Sequence, residues 1–406
     1  MNTTNHLNSN EQMKIIEKGC AELVGAEHLI ARIDAGKALR VKFGLDPTAP
    51  DLHLGHAVVL RKLRQLQDLG HQAIIVLGDA TACIGDPTGR SKTRRPMTHE
   101  EVLVNAATYK AQLFRILDPA RTEIRFNAEW LYRISFPEVL KLMATTTVAQ
   151  ILERDDFRNR FGAQEAIGLH EFLYPLMQGY DSVALEADLE LGGTDQRFNI
   201  LMGRTLQRHY GQNPQASLFM PLLEGTDGVE KMSKSLGNHI GLFEHPDVIF
   251  EKVMKVPDAL IIRYFLLCTD EHPDRVAEWE NRLSSGANPR DVKLELASIV
   301  TGLYGGADAA ARAKERFSLV FREGGVPDEI PEVALDAIRV EGTEDSDPLT
   351  LLLLAGLAGT RSEARRLIRQ GGVRLGEGVL RSERPLRLAA GDILRCGKKG
   401  FVRIHD

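Results

Sequence analysis

Between Leu39 and Leu77 the chain passes through a short apolar stretch, a proline-rich loop, an amphipathic stretch and a second apolar stretch, an order that leaves few folds open. Leu39–Leu45 reads as a buried strand, Asp46–Leu54 as a loop and His56–Leu69 as a helix with apolar residues at helical spacing, stopped by Gly70. Gln72–Leu77 supplies the next strand, which makes the stretch a βαβ unit. The loop closes on His53-Leu-Gly-His56 and so places two histidines where the carboxyl end of a strand meets the amino end of a helix. Open α/β sheets bind ligands at such points. A helix start offers unpaired N–H groups and partial positive charge suited to phosphate. Gly55 leaves room for a flat ring or a backbone to come close. Taken alone, His-x-x-His more often denotes a pair of loop histidines or half of a metal site.

A second stretch changes that reading. Lys231-Met-Ser-Lys-Ser235 lies in a polar loop flanked by Gly225, Gly228 and Gly237, after the apolar run Ser217–Leu223. A flexible loop carrying two lysines and two hydroxyls is a clamp for polyphosphate, although an isolated run of this kind is more commonly a solvated charged face. His-Leu-Gly-His early and Lys-Met-Ser-Lys-Ser late in one α/β chain resemble the two signatures of class I aminoacyl-tRNA synthetases.

With 406 residues, 43% of them hydrophobic, the chain is long enough for two or three ordinary domains. Leu349–Leu357, the most apolar run, is far too short to cross a bilayer. Met1–Gln12 is polar and Asn-rich and reads as a disordered tip without an export or organelle signal. Cys20, Cys83, Cys268 and Cys396 form no Cys-x-x-Cys pair, which favours free thiols in a reducing cytoplasm over a zinc knuckle. The net charge of −5 hides an asymmetry: residues 347–406 hold 12 Lys and Arg against 6 Asp and Glu, leaving 39 against 50 for the rest. Between the acidic body and the basic tail, Val326–Ser346 carries two prolines and seven acidic residues and reads as a linker.

In chain order, Glu11–Ile33 reads as a helical segment packed outside the first strand. Gly85-Asp-Pro-Thr-Gly89 reads as a tight turn after a buried strand, and Thr98 with Glu101 forms a capping box for a helix running to about Leu117. From Ser135 to Leu185 the pattern is helical and interrupts the alternation of strands and helices, an insertion in the sheet domain. Within it, Tyr174, Gln178 and Asp181 fall on one helix face among apolar neighbours. Buried polar groups of that kind need partners, and a polar ligand would supply them. Leu189-Glu-Leu-Gly-Gly-Thr-Asp-Gln196 is a further strand that breaks at two glycines before a helix from about Asp195 to His209.

Together these segments resemble the bacterial tyrosyl-tRNA synthetases, in detail over roughly residues 35–240: Gly44-Leu-Asp-Pro-Thr-Ala-Pro with His53-Leu-Gly-His56, Gly85-Asp-Pro-Thr-Gly89, Tyr174-x-x-x-Gln178-x-x-Asp181, Gly193-Thr-Asp-Gln196 and Lys231-Met-Ser-Lys-Ser235. The resemblance implies that Tyr174, Gln178 and Asp86 hold the ammonium of L-tyrosine and that Asp181 accepts its phenolic O–H. It implies that Thr48, His53, His56, Lys231 and Lys234 hold the ATP phosphates during catalysis. Gly55, Gly193, Asp195, Ser233 and Ser235 would contact ATP, with Gln196 near the reacting carboxylate of tyrosine. Mg²⁺ would arrive with ATP, and no tightly bound metal is expected. Lys42 departs from the family pattern, since many members carry a tyrosine there that helps bind the phenol. It is either a strand-end lysine reaching solvent or part of the pocket. Arg90 departs too, at a position often held by lysine.

The expected fold is a Rossmann-like parallel-sheet catalytic domain (1–240) with its helical insertion (about 135–185), then an α-helical domain (241–325), the linker (326–346) and a small α+β RNA-binding module (347–406). Pro246–Leu267, Pro289–Tyr304 and Asp308–Phe321 carry the helical periodicity of the second domain, which resembles the family's anticodon-proximal domain or is a helical packing unit. In the tail, Ser362–Arg374 is a basic amphipathic helix ending at Gly371-Gly372. It resembles the module shared with a small-subunit ribosomal protein and pseudouridine synthases, with Arg361, Arg365, Arg366 and Arg369 as RNA contacts. The resemblance further implies a cytoplasmic homodimer that charges tRNA(Tyr) and has no membrane contact. The competing readings are another nucleotidyltransferase of the same fold, which should lack the second signature and the basic tail, and a non-enzymatic RNA-binding derivative, which should have lost the site positions. Tryptophan is the rival substrate.

Overall fold

Parallel strands covered by helices on both faces are apolar along most of their length, and Ala73–Leu77, five consecutive buried residues, fits that pattern. The computed structural model describes residues 7–45, 52–85, 110–322, 330–376, 378–397 and 400–406. Among them, six strands form one sheet: β1 (Glu22–Val24), β2 (Arg40–Leu45), β3 (Gln72–Leu77), β4 (Thr122–Phe126), β5 (Leu189–Gly193) and β6 (Ala216–Met220). Their spatial order is β1-β6-β5-β2-β3-β4. Neighbours from β6 to β4 run parallel, and β1 pairs antiparallel to β6. The chain leaves β2 towards β3 and β4 on one side and returns to β5 and β6 on the other. The order therefore reverses between β2 and β5, where open sheets of this kind place a binding crevice.

The helix Leu54–Asp68 follows β2 and buries Ala57, Leu60, Leu63 and Leu66 along one face. Between β4 and β5 lie the helices Phe136–Met143, Val148–Ile151, Asp155–Gly162 and Tyr174–Ala184, as the helical reading of that region anticipates. Their core joins Leu142, Ile151, Phe157, Leu176 and Val183 to Met202 and Leu206 of the helix Arg197–His209. The expected single helical segment over Glu11–Ile33 is corrected to two helices, Ser9–Glu17 and Ala26–Asp34, flanking β1. Gly19 (φ 66°) and Gly25 (φ 82°) take left-handed backbone that interrupts the helix on either side of the strand.

The chain divides into two compact units, Met1–Ala310 and Ala311–Asp406. In the first, the helices Pro246–Met254, Ile261–Cys268, Pro273–Ser284 and Pro289–Gly305 follow the sheet. Three of them start on a proline, where the missing N–H is not needed. They are tied to the sheet's helices by Lys18, which donates to the carbonyl oxygen of Thr269 at 2.7 Å, and by the Arg61–Asp270 ion pair.

In the second unit, β7 (Glu332–Ala334), β8 (Val373–Leu375), β9 (Gly378–Leu380), β10 (Ile393–Cys396) and β11 (Gly400–His405) form a sheet in the order β7-β11-β10-β8-β9. With the helices Pro348–Leu354 and Arg361–Arg369 it encloses a core that includes Val333, Leu351, Ile368, Leu394 and Ile404. The expected linker over 326–346 is corrected from Glu332 onward, because β7 pairs in parallel with β11 and buries Val333. Acidic composition masked this strand, whose one charged residue, Glu332, is exposed. None of the four cysteines forms a disulfide, and among the described residues no helix is long and apolar enough to cross a membrane.

Candidate active site

β2 delivers the chain to the crevice and the helix Leu54–Asp68 starts there, with His53 as its cap. The backbone N–H of His53 donates to Nδ1 of His56 at 3.3 Å, which leaves the His56 proton on Nε2. The two rings lie 3.9 Å apart between centroids. His53 is buried, and its Nδ1 has no hydrogen-bond partner among the described residues. Burial, reinforced by His56, His239 and the Lys234 ammonium, holds His53 down at about 3. Withdrawal from water and then Lys234 hold His56 at about 4. Both imidazoles are therefore neutral near pH 7, able to donate N–H bonds to phosphate without titrating.

The segment just after the lysine loop is fastened to this histidine turn by backbone pairing. Leu54 N–H donates to the carbonyl oxygen of Ile240 at 2.9 Å, Leu242 N–H donates to that of Leu52 at 3.2 Å, and His53 bridges Gly241. A Cβ on Gly55 would sit 3.0 Å from the His53 ring and 3.5 Å from Cβ of Met232, so glycine is what lets the two signatures close on each other. Met232 is buried, whereas Lys231, Lys234 and Ser235 are exposed. Ser233 and Ser235 share a hydroxyl hydrogen bond of 2.8 Å. Asn238, buried beneath the loop, accepts from Ser233 N–H at 2.8 Å and donates to Asp227 at 2.6 Å and to the carbonyl oxygen of Lys231 at 3.2 Å.

On the other wall, the helix Tyr174–Ala184 buries Tyr174 and Asp181 and half-buries Gln178. Asp181 Oδ1 accepts from the Trp130 indole N–H at 2.8 Å, and Oδ2 lies 3.4 Å from Asn127 Nδ2. Burial pushes its carboxyl up to about 7, against the pull of Lys42 and of those two donors. At the end of β5 Gly193 is half-buried, and beyond it Asp195 is exposed and Gln196 accepts from Asn199 at 2.9 Å. Thr48, Asp86 and Arg90 lie outside the described residues.

Lys42 does not reach solvent, and that alternative is set aside: it is buried in β2 against Glu190 of β5. Sequence reasoning passed over Trp130, Asn127, Glu190, Asn238 and His239. Glu190 alone carried a usable signal, as a single acid in an apolar strand that demands a buried base. In the second unit, Arg361, Arg365, Arg366 and Arg369 are exposed on one helix. Arg361 pairs with Asp347, Arg365 and Arg369 with Glu383, and Arg366 with Glu363. Exposed pairs of this kind are worth at most about 1 kcal/mol, little hindrance to exchanging a carboxylate for a phosphate.

A parallel sheet with its reversal between β2 and β5, two histidines at a helix start and a lysine loop whose following segment pairs with them make an arrangement of the class I synthetase kind. Residues 34–322 match the family model described as tRNA synthetases class I (W and Y), and residues 349–393 match the S4 domain. The chain is 51% identical to a tyrosine–tRNA ligase of Moorella thermoacetica over 400 residues, covering 97% of this chain and 95% of the relative. It is 50% identical to one of Oleidesulfovibrio alaskensis, covering 98% and 99%. Among solved structures, it is similar to the tyrosyl-tRNA synthetase of Archaeoglobus fulgidus complexed with L-tyrosine, with a TM-score of 0.60, 24% identity and coverage of 76% of this chain and all 100% of that one. A C-terminally truncated mitochondrial tyrosyl-tRNA synthetase of Aspergillus nidulans gives 0.63 at 24% identity, covering 76% and 94%. These two likenesses show the fold. The chain belongs to the tyrosine–tRNA ligases.

Proposed function

We infer that this chain activates L-tyrosine with ATP, releasing pyrophosphate, and passes the tyrosyl group from the adenylate to the 3′ end of tRNA(Tyr). The single observation that carries the reading is the backbone pairing of the His53–His56 turn with Ile240–Leu242, the segment just after the Lys231–Ser235 loop, in a chain half identical to tyrosine–tRNA ligases over nearly its whole length. A tyrosine carboxylate is already a nucleophile, so attack on the α-phosphorus needs no general base. The obstacle is charge, because two anions must meet and pyrophosphate must leave. Neutral N–H donors from His53 and His56 and the ammonium groups of Lys231 and Lys234, aimed at the phosphates, answer it, with Mg²⁺ entering as the ATP complex. Thr48, Gly55, Gly193, Asp195, Ser233 and Ser235 complete the ATP side.

For the amino acid, Asp181 is the acceptor of the phenolic O–H, fixed from behind by Trp130 and Asn127. Tyr174, Gln178 and Asp86 take the ammonium, and Gln196 the carboxylate. The basic helix of the second unit, in a region matching the S4 domain, holds tRNA. A cytoplasmic homodimer fits the insertion, which exposes Phe136 (74%), Phe161 (66%) and Leu169 (83%), apolar side chains that a second copy would cover. A monomer by light scattering at micromolar concentration, still charging at full rate, contradicts the dimer. The function itself is tested by ATP-dependent charging of bacterial tRNA with labelled tyrosine. Absence of labelled tRNA with a folded enzyme overturns it.

A further inference from the structure

β2 and β5 bury a complete ion pair. Lys42 and Glu190 face each other in register, their side chains 0% and 1% exposed, with Nζ 2.9 Å from Oε1. The ammonium also donates to the carbonyl oxygen of Gln178 and to Ser182 Oγ, each at 2.9 Å, so its three hydrogens all have acceptors. The other carboxylate oxygen of Glu190 accepts from Ser182 Oγ at 2.9 Å and from Gln215 Nε2 at 2.5 Å. A pair this deep is an expensive way to hold two strands together, because apolar residues of similar volume often serve as well or better. Its attachment points suggest another purpose. Gln178 and Ser182 bracket Asp181 on the same helix, so Lys42 grips the turn that carries that carboxylate.

The groups acting on Asp181 come from three other elements. Lys42 of β2 and Glu190 of β5 are the charged ones acting on it, while Trp130 and Asn127, after β4, are neutral donors. Asp79, on the helix Asp79–Ile84, accepts with Oδ1 from the N–H groups of Ala80 and Ala128. Asn127 is itself fixed, donating to Thr81 Oγ1 at 3.0 Å and accepting from Ala80 N–H at 3.0 Å.

We propose that Lys42, clamped by Glu190, is a specificity-determining positioning residue: it fixes the Asp181 turn and supplies the charge that keeps Asp181 an anionic acceptor, so that preference for tyrosine over phenylalanine depends on a pair that touches neither substrate. The proposal rests on the reading that Asp181 meets the phenol. Burial drives the Asp181 carboxyl upward and Lys42 is the largest influence opposing it. An anion left without its hydroxyl partner rejects phenylalanine strongly, whereas a neutral acid, which donates as well as accepts, discriminates less.

Two variants push this charge in opposite directions. Glu190→Gln keeps the lysine and removes its counter-ion. Lys42→Met/Glu190→Gln removes both charges without leaving a buried ion unpaired. The readout is the ratio of kcat/KM for tyrosine to that for phenylalanine in ATP–pyrophosphate exchange from pH 6 to 9, in which ionisation of the amino-acid ammonium cancels. In the parent enzyme the ratio should fall as the pH drops through about 7. The midpoint should move down in Glu190→Gln and up by roughly one pH unit in the double variant, lowering the ratio at pH 7 about fivefold. Midpoints that stay put, or that move in the same direction in both variants, overturn the proposal; if the double variant does not fold, Glu190→Gln alone decides by the presence or absence of the downward shift. Asp181→Asn separates the underlying reading: an unchanged ratio there means that Asp181 is not at the phenol, whatever the lysine variants do.

Discussion

Leu54 and Ile240 are joined by a 2.9 Å backbone hydrogen bond, and through it the residue after the first histidine of one signature is held against the strand-like segment that closes the other. The lysine loop is thereby anchored at its far end, while Lys231 and Lys234 stay exposed on it. Charges mounted in this way can take hold of phosphates as the transition state forms. Lys234→Ala should therefore slow adenylate formation by orders of magnitude while tyrosine binding persists. Stopped-flow activation at near-normal rate in that variant would remove Lys234 from the phosphate site.

Asn238 is the brace under the loop, with hydrogen bonds to Ser233, Asp227 and Lys231. Asn238→Ala removes all of them and leaves the loop without its brace. Displacement of a positioned group by an ångström can cost of the order of a hundredfold, so kcat for exchange should fall by about that factor with KM for tyrosine unchanged. A rise in KM for tyrosine at constant kcat would place Asn238 on the amino-acid side instead.

The arginine helix predicts a separation of activities. Replacing Arg365, Arg366 and Arg369 together by Ala should leave ATP–pyrophosphate exchange intact, weaken charging and flatten its salt dependence, because fewer counter-ions are released on binding RNA. Equal loss of exchange and charging would mark the helix as structural.

Acid should destabilise the first unit above the pH at which ordinary carboxylates titrate. His53 is held at about 3, and His56 and His71 at about 4, each by burial first. Unfolded histidine titrates near about 6.5, so the unfolded chain takes up more protons as the pH falls from there towards 4. The stability these neutral rings carry is full above 6.5 and is lost on the way down. Asp181 works the other way: its raised carboxyl makes the folded chain take up a proton below about 7 and offsets part of the loss. His71 is the cleanest case, buried with Nδ1 accepting from Leu39 N–H at 3.3 Å. His71→Asn should make urea-unfolding stability less pH-dependent between 6.5 and 4, by up to about 1.4 kcal/mol per pH unit. An unchanged slope would mean that His71 is already protonated when folded.

β2, β3, β5 and the helix after β2 were legible because each carries its own periodicity, and parallel strands buried on both faces read as continuous apolar runs. β1 and β7 were not. Each is three residues long and is defined by a distant partner, Glu22 opposite Phe219 and Val333 opposite Ile404, so no local pattern marks it. At the site, the motif residues announced themselves by spacing, but their supports did not. Lys42 is ambiguous until the register sets it against Glu190, and the Trp130 indole meets Asp181 only because β4 ends beside the insertion helix.

The most direct test of the central claim is ATP–pyrophosphate exchange by the intact chain with each of the twenty amino acids in turn. Tyrosine alone should support rapid exchange, with phenylalanine lower by several orders of magnitude, since a site built around a buried hydroxyl acceptor rejects the analogue that lacks the hydroxyl. Exchange driven best by tryptophan, or by no amino acid while the chain is folded, would contradict it.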